Sequence, residues 1–199
     1  MSDGHPNISA DRIFYLQEQH VVVEDFDSSG WVLTLGGGGE GVIGRLKGSR
    51  VVAIDTDQRE LADAPEGPLK MVMDARDLKF LDESFEVVTS FFTLMYVEQS
   101  DHLRIFEEAW RVLVPGGRFL IWGASLPERA DDEKDVLVVP LMVTLPSDEV
   151  ETGYGVMWPE EPFGLADHVG LAERAGFEVV EQREEGQVFY LSLRKRVED

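Results

Sequence analysis

The chain has 199 residues, with 18 lysines and arginines against 39 aspartates and glutamates, a formal net charge of −21. That length suits a single domain, and a 43% apolar share is too rich for a disordered chain. Cysteine is absent, which removes disulfides, thiolate metal sites and a cysteine nucleophile, and the acidic balance excludes a nucleic-acid backbone as main partner.

Residues 1–30 open without a basic and apolar leader, so secretion is not expected. They carry a short helix and the apolar run Val21-Val-Val23, and read as an N-terminal cap segment. Trp31 to Leu35 reads as a buried strand running into Gly36-Gly-Gly-Gly-Glu-Gly41. Val42 to Lys47 is a short helix stopped by Gly48. Val51 to Ile54 is a second strand ending at Asp55, and Asp57 caps a helix through Leu61 that Pro65 closes.

Leu69 to Met73 is a third strand, ending at Asp74, and Phe85 to Ser90 a fourth. Ser100 is placed to cap the next helix, where Leu103, Phe106, Trp110 and Leu113 share one apolar face. Pro115-Gly116 fits a type II turn before a fifth strand, Arg118 to Trp122. Residues 123–164 read as an insertion, in which Val136 to Leu145 and Val150 to Trp158 flank a hairpin turn at Pro146-Ser-Asp-Glu149. A helix over Leu165 to Ala175 precedes two strands, Glu178 to Glu184 and Gln187 to Leu193. The link between those two is too short for a parallel crossover, so they are antiparallel.

Strands alternating with helices predict an α/β fold with a mostly parallel sheet. The longest apolar stretch, Val136 to Val143, is broken by Pro140 and far short of a membrane span. A soluble, cytoplasmic protein with no membrane partner, monomer or homodimer, is the expectation. Acids spread along the whole chain read as solvation, of the kind a salty cytoplasm favours. The four histidines, His5, His20, His102 and His168, include no pair at ligand spacing, and no metal site is expected.

The strand, glycine-rich turn and helix carry the chemical signal. Glycines allow close approach of backbone to a ligand, and a helix start favours negative groups. Asp55, at the end of the next strand, is placed to accept both hydroxyls of a ribose. The bland alternative is a tight turn packed for its own sake. Nor does the motif choose a nucleotide. Gly36, Gly38 and Gly41 satisfy G-x-G-x-x-G, and Asp55 follows about 20 residues on, as in dinucleotide-binding enzymes.

Asp74 ending the third strand, Phe85-Glu-Val-Val-Thr-Ser-Phe-Phe-Thr-Leu-Met-Tyr-Val97, Arg111-Val-Leu-Val-Pro-Gly-Gly-Arg-Phe-Leu-Ile121 and the antiparallel end form an ordered set. Over about residues 30–122 and the last strands, that set resembles the class I S-adenosylmethionine-dependent methyltransferases, especially those acting on small molecules. The resemblance implies a Rossmann-like three-layer sandwich around a seven-stranded sheet, its last strand antiparallel and inserted between neighbours. It implies S-adenosyl-L-methionine as cofactor. Gly36, Gly37 and Gly38 would lie against the methionine part, Asp55 would hold the ribose, and Thr56 would sit beside the adenine. Asp74 would take the adenine amino group with Ala75 near the ring, and Ser90, Phe91 and Phe92 would line the methionine side.

Two residues depart from the family pattern. Thr34 stands where an acid usually orients the methionine amino group, and Glu40 where glycine is frequent; Glu40 is read either as a carboxylate stabilised at a helix start or as one repelling the cofactor's carboxylate. Tyr96, Glu98 and His102 are the candidate bases. In the insertion, Tyr154, Met157 and Trp158 are candidate acceptor-pocket walls, or else they cover the sheet or form a dimer contact. Phe14 and Tyr15 are a candidate lid. Trp110, Phe80, Leu81 and Phe85 read as core, and Asp131-Asp-Glu133 as a solvated loop. The rivals to a methyltransferase are an NAD-dependent oxidoreductase and a non-catalytic S-adenosylmethionine-binding protein.

Overall fold

A computed structural model describes residues 9–129 and 133–197. Asp131 and Asp132 of the acidic loop lie outside the described residues. In chain order the elements are β1 (Ile13–Tyr15), β2 (Gln19–Val22), β3 (Val32–Leu35), α1 (Val42–Lys47), β4 (Val51–Asp55), α2 (Gln58–Asp63), β5 (Leu69–Val72) and β6 (Phe85–Phe91). Then come α3 (Gln99–Val112), β7 (Leu113–Ala124), β8 (Val136–Leu145), β9 (Asp148–Met157), α4 (Leu165–Arg174), β10 (Phe177–Glu185) and β11 (Val188–Lys195).

Seven strands form the central sheet in the order β10-β11-β7-β6-β3-β4-β5. The pairs from β7 to β5 are parallel, and β11 lies antiparallel between β10 and β7. This is the inserted antiparallel strand that the resemblance implies. Strands buried on both faces need continuous apolar runs, and β3 and β4 supply them: Val32, Leu33 and Leu35, then Val51 to Ile54, all buried.

Each face of the sheet has its own core. On one side Leu33, Val88, Phe119 and Ile121 pack against α3 and α4 through Ile105, Phe106, Ala109 and Leu171. On the other, Val32, Val87, Leu120 and Trp122 meet α1, α2 and the inner face of β8, where Leu137, Val139, Leu141 and Val143 are fully buried. Burial of each such side chain stabilises by about 2 kcal/mol.

The N-terminal segment and the insertion form one second sheet. β8 pairs antiparallel with β9 along its whole length, and on its other edge takes β1 and then β2, both parallel. Pro140, with no N–H to donate, falls in the gap between them, because β1 pairs with Val136 to Val138 and β2 with Leu141 to Thr144. Pairing with β8 explains why this segment is mostly extended; the expected short helix is only a single 3-10 turn, Ala10–Arg12.

Other expectations shift by small amounts. Helix α3 starts at Gln99, with the Asp101 N–H closing on the Glu98 carbonyl, so Ser100 lies inside the first turn and does not cap. Its buried face is His102, Ile105, Phe106, Ala109 and Val112, with Leu103 and Trp110 only half-buried. Gly116 has the expected positive φ of 78°, but β7 runs through it from Leu113 with a register shift rather than beginning at Arg118. The hairpin turn is Pro146-Ser147 alone. Leu81, read as core, is 83% exposed. No helix of the described residues is long and apolar enough to cross a membrane.

Candidate functional site

The turn after β3 is compressed against its own protein. A Cβ at Gly36, where φ is +64°, would lie 2.3 Å from Thr93 Oγ1. At Gly37 it would lie 2.6 Å from Thr34 Cγ2, and at Gly38 2.5 Å from Glu60 Cβ. No side chain fits at any of the three. The amides are also spoken for: Gly37 donates to Ile54 O at 2.9 Å, Gly38 to Asp55 Oδ2 at 3.3 Å and Gly39 to Glu60 O at 2.9 Å. The three glycines are therefore required by the protein's own packing, and the turn offers no row of free N–H donors for phosphate.

Beside it lies a small cavity lined by Thr34, Gly36, Gly37, Gly38, the start of α1, Phe91 and Tyr154. Its surroundings are acidic. Asp55, held by the Asp57 N–H at 3.0 Å, faces the turn, and Glu60 stands over it from α2. Burial, with the charges of Asp55, Asp57, Glu40 and Asp63, raises the Glu60 carboxyl above its ordinary range. Asp74 follows β5 with both oxygens on the Arg76 side chain, at 2.7 to 3.1 Å, and that guanidinium holds its carboxyl below the usual range. Arg76 also reaches Asp101 on α3 at 2.6 Å. Thr56 is exposed and Ala75 half-buried.

Glu40 has a third role, neither of the two the sequence suggested. Its carboxylate accepts from Thr152 Oγ1 at 2.5 Å and from the Tyr154 hydroxyl at 3.1 Å. Val150, Thr152, Tyr154, Val156 and Trp158 alternate onto the inner side of β9 and its extension, so the two polar members of that face both land on Glu40. Arg45 on α1 ties down the hairpin tip through Asp148 at 2.9 Å. That exposed pair contributes under about 1 kcal/mol; the buried base of β8 contributes several times more. Burial and the Glu40 charge push the Tyr154 phenol well above its ordinary range.

Tyr154 joins an aromatic group. Its ring stacks on Phe92 (5.4 Å between centroids, 29°) and meets Phe91 and Tyr96 edge-on, both at 6.4 Å. Of the three residues expected to line the methionine side, only Phe91 lines this cavity. Ser90 points to the opposite face by strand alternation, with its buried Oγ unpartnered, and Phe92, at φ +54°, turns into a second cavity. Neither Tyr15, 62% exposed on β1, nor Trp158 lines this cavity or the second one. Trp158 is buried under Phe14 (centroids 4.8 Å apart) and donates Nε1–H to Pro127 O, which makes it part of the second sheet's core. Met157 and Glu98 are exposed.

Across the Phe91–Phe92 pair lies the second, also small, cavity, between the ends of β6 and β7 and the start of α4. Phe92, Leu94, Ile121, Trp122, Phe163 and Phe189 supply its apolar wall, and His168 its polar group. His102, a candidate base, is buried nearby with its ring 5.8 Å from that of His168. Sequence spacing concealed this histidine pair, because 66 residues separate its members and only the packing of α3 on α4 unites them. Glu40 and Thr152 were hidden in the same way.

Residues 33–121 match the family model described as a methyltransferase domain. The human mitochondrial 2-methoxy-6-polyprenyl-1,4-benzoquinol methylase is 39% identical over 84 residues, 38% of this chain; the chain spans only 25% of that protein. Among solved structures, a Pyrococcus horikoshii protein superposes with a TM-score of 0.62 at 22% identity, covering 84% of this chain and 82% of that one. An S-adenosylmethionine-dependent methyltransferase from Mesorhizobium loti superposes at 0.60 and 17% identity, covering 85% and 93%.

Proposed function

We propose, on the premise that this chain carries a class I S-adenosylmethionine-dependent methyltransferase domain, that it transfers the cofactor's methyl group to a small-molecule acceptor. The carrying observation is the charge around the first cavity. Its lining holds no lysine or arginine, and Asp55, Glu60 and Glu40 surround it. A ligand with a sulfonium and an ammonium relieves that excess of negative charge; a dinucleotide's diphosphate adds to it and meets amides already paired.

The residues fit such a cofactor. Asp55 accepts two backbone N–H groups and keeps lone pairs for ribose hydroxyls. Asp74 has spare accepting capacity for the adenine amino group beyond its bonds to Arg76, with Ala75 and Thr56 flanking the ring. Gly36, Gly37, Gly38 and Phe91 receive the methionine end. Glu40 supplies the carboxylate that Thr34 lacks, exchanging the Tyr154 hydroxyl for the ammonium.

When bound, the cofactor supplies an electrophilic methyl on sulfur. The chain's part is then positioning and exclusion of water, which can account for most of the acceleration. An organic small-molecule acceptor agrees with the benzoquinol named for the human relative, and the net charge of −21 disfavours a nucleic acid. A cytoplasmic monomer or homodimer completes this reading.

Thermal melting with S-adenosylmethionine, S-adenosylhomocysteine and NAD, each at about 100 times its dissociation constant, tests it. A true ligand stabilises by about 2.7 kcal/mol. Stabilisation by the first two and not by NAD is expected; stabilisation by NAD alone would overturn the assignment.

A further inference from the structure

The second cavity contains an electronic mismatch. His168 is 4% exposed and lines it; its Nδ1 lies 2.7 Å from the Gly164 carbonyl, so Nδ1 carries the hydrogen and Nε2 is a bare acceptor. His102, 1% exposed, spends its Nε2 hydrogen on the carbonyls of Leu94 and Val97, at 2.9 and 3.0 Å. Its Nδ1 is buried without a partner, whereas His168 Nε2 is not fully buried; His102 itself does not line the cavity. Both ring planes are braced by Phe163, with centroids at 4.9 Å from His102 and 4.7 Å from His168. Buried acceptors are normally paired, because leaving one unsatisfied forfeits its hydration with nothing in return.

The polar group the cavity offers is His168, whose Nε2 can accept from a hydrogen-bond donor, and the other walls describe the rest of the ligand. Phe92, Trp122, Phe163 and Phe189 offer ring faces and edges, with Leu94, Ile121 and Leu126 between them. No charged side chain lines the cavity, which favours a neutral ligand. Burial, reinforced by the neighbouring His102 and opposed by Asp167, holds His168 down at about 4, so the imidazole is itself neutral near pH 7. Phe91 and Phe92, with rings 5.0 Å apart, form the partition between this space and the acid-rich cavity.

We propose that this cavity is a binding site for a neutral, ring-bearing small molecule with an O–H or N–H group, and that His168 Nε2 accepts that hydrogen. The site is separate from the one read as the cofactor's, since the Phe91–Phe92 pair stands between the two.

Phenol and its near-isostere toluene, which lacks the donor, are the probes. They are titrated into the full chain labelled with 15N-histidine, with tryptophan fluorescence reporting Trp122. Phenol is expected to bind about tenfold more tightly than toluene and to move the His168 Nε2 resonance, while toluene leaves that resonance in place. In His168→Phe, which keeps the ring and removes the acceptor, the tenfold preference disappears. Ala124→Leu, which fills the cavity from β7, abolishes binding of both. Equal affinity of the two probes for the native chain, or phenol binding unaffected by both variants, overturns the proposal.

S-adenosylhomocysteine is titrated separately. If it binds and phenol does not, this proposal fails while the methyltransferase reading stands. If phenol binds as described and S-adenosylhomocysteine does not, this proposal stands while the methyltransferase reading falls.

Discussion

The two cavities on either side of Phe91 and Phe92 are of similar size and opposite chemistry. The first is made of glycine backbone and ringed by carboxylates; the second is made of aromatic and aliphatic side chains around an imidazole. Their origins differ as well. The first is built where β3, β4 and β6 end side by side, so adjacent parallel strands deliver its residues directly. The second needs α4 to cross over α3 and β11 to insert beside β7, contacts between distant parts of the chain. Local strand-end chemistry suits a polar, charged ligand, while long-range packing suits a neutral, apolar one.

The largest expected effect lies in the second cavity and is read by acid. The unfolded chain protonates His168 near 6.5, but the folded chain resists until about 4. The unfolded state therefore binds more protons in that window, and stability falls as pH drops from 6.5 to 4, by about 3 kcal/mol for this group, with no further loss from it below 4. Burial lowers His102 in the same direction. Denaturant curves at several pH values should show this slope, and His168→Phe should flatten it; a slope unchanged by that substitution would contradict the account.

Next in size is Asp55→Ala in the first cavity. Removing a carboxylate that holds two hydroxyls should weaken S-adenosylhomocysteine about 100-fold by calorimetry while phenol binding stays as it was. Parallel loss of both would show that the cavities are not independent. Gly37→Ala drives a methyl to within 2.6 Å of Thr34 and 2.8 Å of Ala53. A loss of about 1–3 kcal/mol in unfolding free energy is expected. Unchanged stability would mean that the turn has slack for a side chain.

Tyr154→Phe is the mildest and sharpest test. It removes the hydroxyl from Glu40 and leaves the ring on Phe92 and the Thr152 bond in place. With one competitor gone, the cofactor's ammonium should bind about fivefold more tightly. Weaker binding would show that Tyr154 holds the cofactor and does not bar it.

Much of the fold was legible beforehand. Short apolar runs ending in Asp55 and Asp74, the glycine turn and Gly48 mark β3 to β5 and the helices between them within a residue or two. The brief Gly186 link dictates the antiparallel end. Alternation along β9 was readable too, but not what its inner face would meet. Thr152 and Tyr154 find Glu40 more than a hundred residues away, and that meeting depends on β8 lying over α1. The same limit turned Trp158 from a supposed pocket wall into core and Tyr15 from a lid into an exposed edge residue, since both fates depend on how β1 pairs with β8.

Sequence alone determined the strands and helices from β3 to β5, the antiparallel end and the acids that gather at the strand ends, because periodicity, turn chemistry and strand direction are local properties. Tertiary structure alone decided that Glu40 closes on the hairpin and that His102 and His168 lie side by side, with His102 Nδ1 buried without a partner. Those are contacts between elements, and hydrogen-bond satisfaction in a core can be judged only once every neighbour is in place.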